Sequence, residues 1–332
     1  METITERNAG YYLAQVGLTR FGQEAQTRPL TGGVSSRAYW VDLPEGAFVI
    51  KQARQRLDVA MEWVADVGRT VREGEAMDLL HRRIGSPAIP ELLHLDRANL
   101  VLVMEAILPP AENYKDLLMR GVVNPDLACR FGILLAEIHN ATKDDATRDR
   151  FGDTRLFEQL RLSPYYDTTA ERHAGLARRI ASLRDDCLRN TACLVHGDYS
   201  PKNVLVKDGQ LILLDYEAAH FGNPAFDVGF ALTHYLCKAI HLPGHAPSLI
   251  DAARRFWRGY EEEITLPDHT RSHAGAHLAT VMLARIDGKS PLEYLTEESE
   301  RAAVREIAVD ALQSESPPDV PAVIAAVERK SA

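Results

Sequence analysis

The stretch from Leu194 to Phe230, LVHGDYSPKNVLVKDGQLILLDYEAAHFGNPAFDVGF, restricts this chain more than any other. Val204-Leu205-Val206 and Leu211-Ile212-Leu213-Leu214 are short apolar runs separated by Lys207-Asp208-Gly209-Gln210. An Asp-Gly pair between two such runs predicts a β-hairpin. A hairpin brings Asn203, just before its first strand, and Asp215, just after its second, to the same end. Asp198 stands five positions ahead of Asn203, behind His196-Gly197. The set is therefore two carboxylates and an amide on a strand–loop–strand frame, and such hard oxygen donors suit Mg²⁺. One carboxylate can orient an attacking hydroxyl while the amide and the other carboxylate hold metal on a triphosphate, which is the residue set of phosphoryl transfer.

The spacing resembles the kinase catalytic loop, H-x-D followed by four residues and N, and then the metal-binding Asp of D-F-G. Tyr216 and Glu217 stand where Phe and Gly would, and Gly197 replaces the arginine. Those departures lead away from protein kinases. So does the short interval of eleven residues from Asp215 to Phe226, which leaves no room for an activation segment ending in A-P-E. The stretch resembles the aminoglycoside phosphotransferase and choline kinase-like family of small-molecule kinases. The resemblance implies a bilobal, protein-kinase-like α+β fold. A small β-rich nucleotide-binding lobe would span residues 1–105, and a larger, mainly helical catalytic and substrate-binding lobe residues 106–332. It also implies transfer of the γ-phosphoryl group of ATP or GTP, with Mg²⁺, to a hydroxyl of a metabolite or antibiotic. In that frame Asp198 is the catalytic base, and Asn203 and Asp215 are the metal ligands.

The first third of the chain has the composition such a lobe needs. Residues from about Thr3 to Gly17 read as a helix with Tyr11, Tyr12, Leu13 and Val16 on its apolar face. PLTGGVSSRAYWVDLPEGAFVIKQA then reads as strand, Gly-rich turn, strand, turn and strand, ending near Lys51. The resemblance places the turn with Gly32, Gly33, Ser35 and Ser36 over the nucleotide phosphates, where glycines let backbone N–H groups approach closely. It places Lys51 on the α- and β-phosphates. Alone, a two-glycine turn is an ordinary hairpin and a strand-terminal lysine an ordinary solvated charge.

From Val59 to Ile84 the pattern is helical, with Met77, Leu80 and Ile84 on one face. Glu73 falls on that face and Glu75 does not, so a buried Glu73 needs a cation. The family's strand-lysine to helix-glutamate pair makes Lys51 that partner, with Glu75 as runner-up. Glu91–Asp96 and Leu100–Met104 read as two strands, and the resemblance makes Met104, Glu105 and Ala106 the hinge against adenine.

Beyond the hinge the sequence is mainly helical. Ala128–Asn140 is strongly amphipathic, Arg155–Arg161 and Thr169–Arg189 follow, and Asp144–Arg150 reads as a charged, solvated connection. After the central motif come helices at Phe230–Ile240, Pro247–Glu263 and His273–Ile286, with two more in the tail. Asp227 resembles a family position that braces the catalytic loop. Arg285, Asp287 and Lys289 either face substrate or close a helix C-terminus, and the second reading is favoured.

A net charge of −9 argues against a nucleic-acid partner. The four cysteines form no C-x-x-C pair or zinc spacing, as expected of reduced thiols packed as small apolar residues. METITERNAG lacks the pattern of a signal peptide, and no apolar run approaches the ~20 residues that span a bilayer, so a cytoplasmic protein with no membrane partner is expected. The acceptor is expected to be a hydroxylated small molecule. A sugar kinase of the methylthioribose kinase type is the alternative. A non-catalytic nucleotide-binding module of the same fold is a third, although such a module would have lost one of Lys51, Asp198, Asn203 or Asp215, and all four are present.

Overall fold

The computed structural model describes residues 3–30, 36–54, 65–85, 87–265 and 268–331. The chain forms two compact units, one of Met1–Ala111 with Ile212–Glu217 and one of Glu112–Leu211 with Ala218–Ala332.

The first unit is built on α1 (Ala9–Gln15), β1 (Gln26–Leu30), β2 (Ser36–Leu43), β3 (Gly46–Ala53), α2 (Arg69–Ile84), β4 (Leu92–Asp96) and β5 (Val101–Glu105). Its strands make one antiparallel sheet in the order β1-β2-β3-β5-β4. Strand alternation sorts the side chains of β3. Ile50 joins Tyr12, Leu13, Val41, Val101 and Val103 in the core beneath α1. Lys51, one residue on, points to the opposite face, where α2 lies. The first helix is shorter than the sequence suggests. Asn8 folds back to accept from the Thr5 N–H at 2.7 Å, and Gly17, at φ +78°, ends the segment.

The second unit carries β6 (Glu112–Asn113), α3 (Tyr114–Met119), α4 (Pro125–Ala141), α5 (Asp145–Phe151), α6 (Arg155–Phe157), α7 (Thr168–Arg172), α8 (Ala177–Arg189) and β7 (Cys193–Val195). Then come β8 (Val204–Lys207), β9 (Gln210–Leu213), β10 (His220–Gly222), α9 (Pro224–His241), α10 (Ala246–Glu263), α11 (His269–Asp287), α12 (Glu298–Gln313) and α13 (Val320–Ser331). The expected hairpin is β8–β9, and its second strand runs on into the first unit from Ile212. The core comes from α4, α9, α10 and α11, with Phe131, Tyr199, Tyr235 and Phe256 fully buried.

Two sequence expectations change here. Asp144–Arg150 is not a loop: Asp144 accepts from the Thr147 N–H at 3.0 Å and caps α5. The helix expected from Phe230 starts at Pro224, because Asn223 caps it and proline suits the first helical position. That puts Asp227 in the first turn of α9. Among the described residues no helix is long and apolar enough to cross a membrane.

Candidate active site

In the first unit the site is built around one ammonium. Lys51 Nζ lies 2.8 Å from Glu73 Oε1 and 2.5 Å from Asp215 Oδ1. Glu73 is buried on the inner face of α2. Glu75 instead pairs with the exposed Arg97 at 2.7 Å, so the helix face read from the sequence selects the glutamate that meets Lys51. Burial alone would lower the Lys51 pKa, but the carboxylates of Asp215, Glu73 and Glu217 outweigh it and hold the lysine protonated well above its ordinary range. Burial pushes Glu73 up to about 7, against the pull of Lys51 and with the help of the other two carboxylates. Three acids share one lysine, and Glu217 finds a second cation in the fully buried Arg69, whose Nε stands 3.2 Å from its carboxylate. Asp215 itself has φ +69°. A left-handed aspartate just past a strand is a strained conformation of the kind that collects at functional sites.

Met104 and Glu105 end β5, paired with Val49 and Phe48 of β3, and Ala106 follows directly. Ser36 is buried at the start of β2. Gly32, Gly33 and Ser35 lie outside the described residues, as does the first part of the segment expected to be helical from Val59.

In the second unit the loop after β7 carries Asp198 and Asn203. The Asn203 amide nitrogen donates to the Asp198 carbonyl at 3.0 Å and to its carboxylate Oδ2 at 2.8 Å. Its donor is thereby committed, and its carbonyl oxygen is turned the other way as an acceptor. Asp227 fixes the loop from below, accepting from the N–H of His196 at 2.6 Å and of Gly197 at 2.9 Å. Burial would raise its pKa, but hydrogen bonding and charge from His139, with His196 behind them, keep it below the ordinary value. His196 Nδ1 accepts from the Asp198 N–H at 3.2 Å, a loop-shaping contact. His139 packs in the core between Asp227 and the Tyr260 hydroxyl.

Gly197 explains why the loop reads H-G-D. Its φ is +75°, and a Cβ there would meet the Ala218 carbonyl oxygen at 2.7 Å. No arginine fits.

One residue escaped the sequence reading. Arg161 is buried, donates from Nε to the Gly197 carbonyl at 2.6 Å and sets a terminal nitrogen 3.0 Å from Asp198 Oδ2. It sits in a wide, π-type helical segment, Glu158–Asp167, that carries the chain past Pro164. A little further on, Tyr165 lies against both Arg161 and Arg285, whose guanidinium carbons are 5.8 and 5.7 Å from its ring centre. Arg285 closes the turn after α11 on Ser290, and Asp287 is held by Arg305 at 2.7 Å and His173 at 2.9 Å. These two residues thus act as a helix terminus. Lys238, fully buried in α9, donates to the His234 carbonyl at 3.3 Å and lies 4.9 Å from the Tyr294 ring centre.

With this geometry in hand, the sequence matches the model of the phosphotransferase enzyme family (APH) over residues 26–274. The chain belongs to that family. Among curated relatives, methylthioribose kinase 2 of Oryza sativa subsp. japonica is 26% identical over 235 residues, which cover 62% of this chain and 55% of that one. The chain thus spans about half the length of the curated relatives it matches. The fold, bilobal, protein-kinase-like and α+β, is shared with solved structures. An amicoumacin kinase in complex with AMP-PNP, Ca²⁺ and Ami superposes with a TM-score of 0.58 at 18% identity, covering 91% of this chain and 93% of that one. A choline/ethanolamine kinase family protein from Mesorhizobium loti gives a TM-score of 0.55 at 14% identity, covering 97% and 99%.

Proposed function

We propose that this member of the phosphotransferase family is a small-molecule kinase that transfers the γ-phosphoryl group of ATP to a hydroxyl of a metabolite or antibiotic. The observation that carries the reading is the double grip on Lys51 by Glu73 and Asp215, at 2.8 and 2.5 Å. A buried lysine held by a helix glutamate is the phosphate-binding element of kinases. Lys51 binds the α- and β-phosphates, Met104, Glu105 and Ala106 offer backbone groups to adenine, and Gly32, Gly33, Ser35 and Ser36 are the residues proposed to meet the phosphates, although Ser36 itself begins strand β2. Asp198 orients the acceptor hydroxyl and takes its proton, and Arg161 and Asn203 fix the carboxylate's direction. Asp215 and Asn203 are the proposed Mg²⁺ ligands by their chemistry, a carboxylate and an amide oxygen being hard donors, and the Asn203 nitrogen is committed to Asp198. Bound there, Mg²⁺ would neutralise charge on the β- and γ-phosphates. Residues 1–105 act as the nucleotide-binding lobe and 106–332 as the catalytic and substrate-binding lobe of a cytoplasmic enzyme.

The curated relatives favour one narrower reading, a sugar kinase of the methylthioribose kinase type, since those matched across plants and bacteria bear that name. ADP release by purified protein with Mg²⁺-ATP, across methylthioribose, other hydroxylated metabolites and aminoglycosides, separates the two. An acceptor-dependent signal that disappears in Asp198→Ala supports the kinase and names its acceptor. Failure to bind Mg²⁺-ATP at all would replace it with a non-catalytic module.

A further inference from the structure

We propose that Asp186, His269 and His273 form a binding site for a divalent transition metal of the Zn²⁺ class, tying the end of α8 to the first turns of α11. A ring nitrogen of each histidine and a carboxylate oxygen of Asp186 lie within 4.8 Å of one another. The two histidines are four residues apart in one helix, which stacks their rings on one face at 3.9 Å between centres. That i, i+4 spacing is how a helix presents two imidazoles to a single zinc ion.

Three details point to a cation. His269 Nε2 lies 2.9 Å from Asp186 Oδ1, yet that buried nitrogen makes no hydrogen bond. The contact is one of charge without hydrogen-bond geometry, and a cation held between the ring nitrogen and the carboxylate would satisfy both atoms. Next, His273 Nδ1 is 3.1 Å from the His269 carbonyl, which can only accept, so Nδ1 carries the proton and Nε2 keeps the lone pair. The Ser272 hydroxyl, 2.9 Å from Nδ1, accepts from it as well. A backbone carbonyl on the other ring nitrogen is the usual way a protein fixes the tautomer of a metal-binding histidine.

Finally, Asp186 is held from behind. Its Oδ2 takes His277 Nε2 at 2.9 Å and the Asn223 amide at 2.6 Å, and its Oδ1 takes the Asn190 amide at 2.6 Å. Such outer partners orient a ligating carboxylate. Ligands about 2.1 Å from a tetrahedral ion stand about 3.4 Å apart, so Asp186 and His269 are already within that separation and the partly exposed His273 ring closes the set. Two imidazoles and one carboxylate suit Zn²⁺ and its neighbours over Mg²⁺ or Ca²⁺, and a water completes the shell.

The site uses none of the residues assigned to phosphoryl transfer, so it stands or falls separately. Metal-stripped protein is titrated with Co²⁺ in excess Mg²⁺, following the visible absorption of the bound ion, and Zn²⁺ is then added as competitor. One Co²⁺ per chain, displaced by Zn²⁺, is expected, with affinity reduced at least ~100-fold in the His269→Ala/His273→Ala double variant and about tenfold in His273→Gln. Zn²⁺ should also raise the melting temperature of the wild type and leave that of the double variant unchanged. Equal Co²⁺ affinity in wild type and double variant, or no binding by the wild type, overturns the assignment.

Discussion

Arg161 holds Asp198 in place: one guanidinium nitrogen stands 3.0 Å from the carboxylate while another donates to the Gly197 carbonyl at 2.6 Å. A planar, two-pronged donor fixes both the side chain and the loop backbone, which a lysine's single ammonium cannot do. Arg161→Lys is therefore expected to lower kcat by roughly 10–100-fold while KM for ATP stays within about twofold, since a misplaced carboxylate costs the chemical step and not nucleotide binding. Steady-state kinetics against both substrates decides. A KM effect alone would make Arg161 a part of substrate binding.

Asp198 and Asp215 are both carboxylates, yet their surroundings predict different losses. Asp198 is bound to Arg161 and Asn203, whereas Asp215 is bound to Lys51. Asp198→Ala should reduce kcat by ~10²–10⁴ with Mg²⁺-nucleotide affinity preserved, as expected of a lost general base. Asp215→Ala should weaken Mg²⁺-nucleotide binding as well, because it removes the proposed metal ligand. Calorimetric titration of both variants with a non-hydrolysable ATP analogue and Mg²⁺ is the measurement, and identical affinities would refute the division of roles.

Much of this was legible in the sequence, and what was not has identifiable causes. Glu73 could be named because helix periodicity puts it on the apolar face with Met77 and Leu80, whereas the roles of Lys51 and Asp215 were legible only through the resemblance to the kinase motifs. The Asp-Gly hairpin likewise announces the ends at which Asn203 and Asp215 stand. Arg161 could not be read. A helix pattern is expected to stop ahead of Pro164, because proline removes an N–H and crowds the preceding turn. The wide segment Glu158–Asp167 accommodates the proline and aims Arg161 at the loop, and local sequence carries no period for such winding. The helix α5 was missed for the opposite reason: its seven residues are mostly polar, and a single cap at Asp144 decides it.

Gly197 supplies a test of the loop's backbone. At φ +75° any side chain is strained, and a Cβ would press on the Ala218 carbonyl oxygen. Gly197→Ala should destabilise the protein by at least about 1–2 kcal/mol, read from the urea midpoint, and should lower kcat through its effect on Asp198. A variant as stable and active as the wild type would mean that the loop adopts another conformation.

Lys238 makes a prediction in pH. Burial, reinforced by the nearby cations Lys115 and Arg285 and only partly countered by Cys237 and Glu293, brings its pKa down from 10.5 to about 7. No carboxylate lies within ion-pairing distance of it among the described residues. Between those two values the unfolded chain binds the proton and the folded chain does not. Stability therefore rises with pH across the window: Lys238's contribution is complete above about 10.5 and is lost as pH falls through about 7. The slope from one such group is at most about 1.4 kcal/mol per pH unit. Lys238→Met keeps an unbranched chain in the same space and removes the titration. Urea unfolding at pH 7 and pH 9 should show the wild type gaining more stability than Lys238→Met over the interval. Parallel gains in the two proteins would place the ammonium in water, with an ordinary pKa.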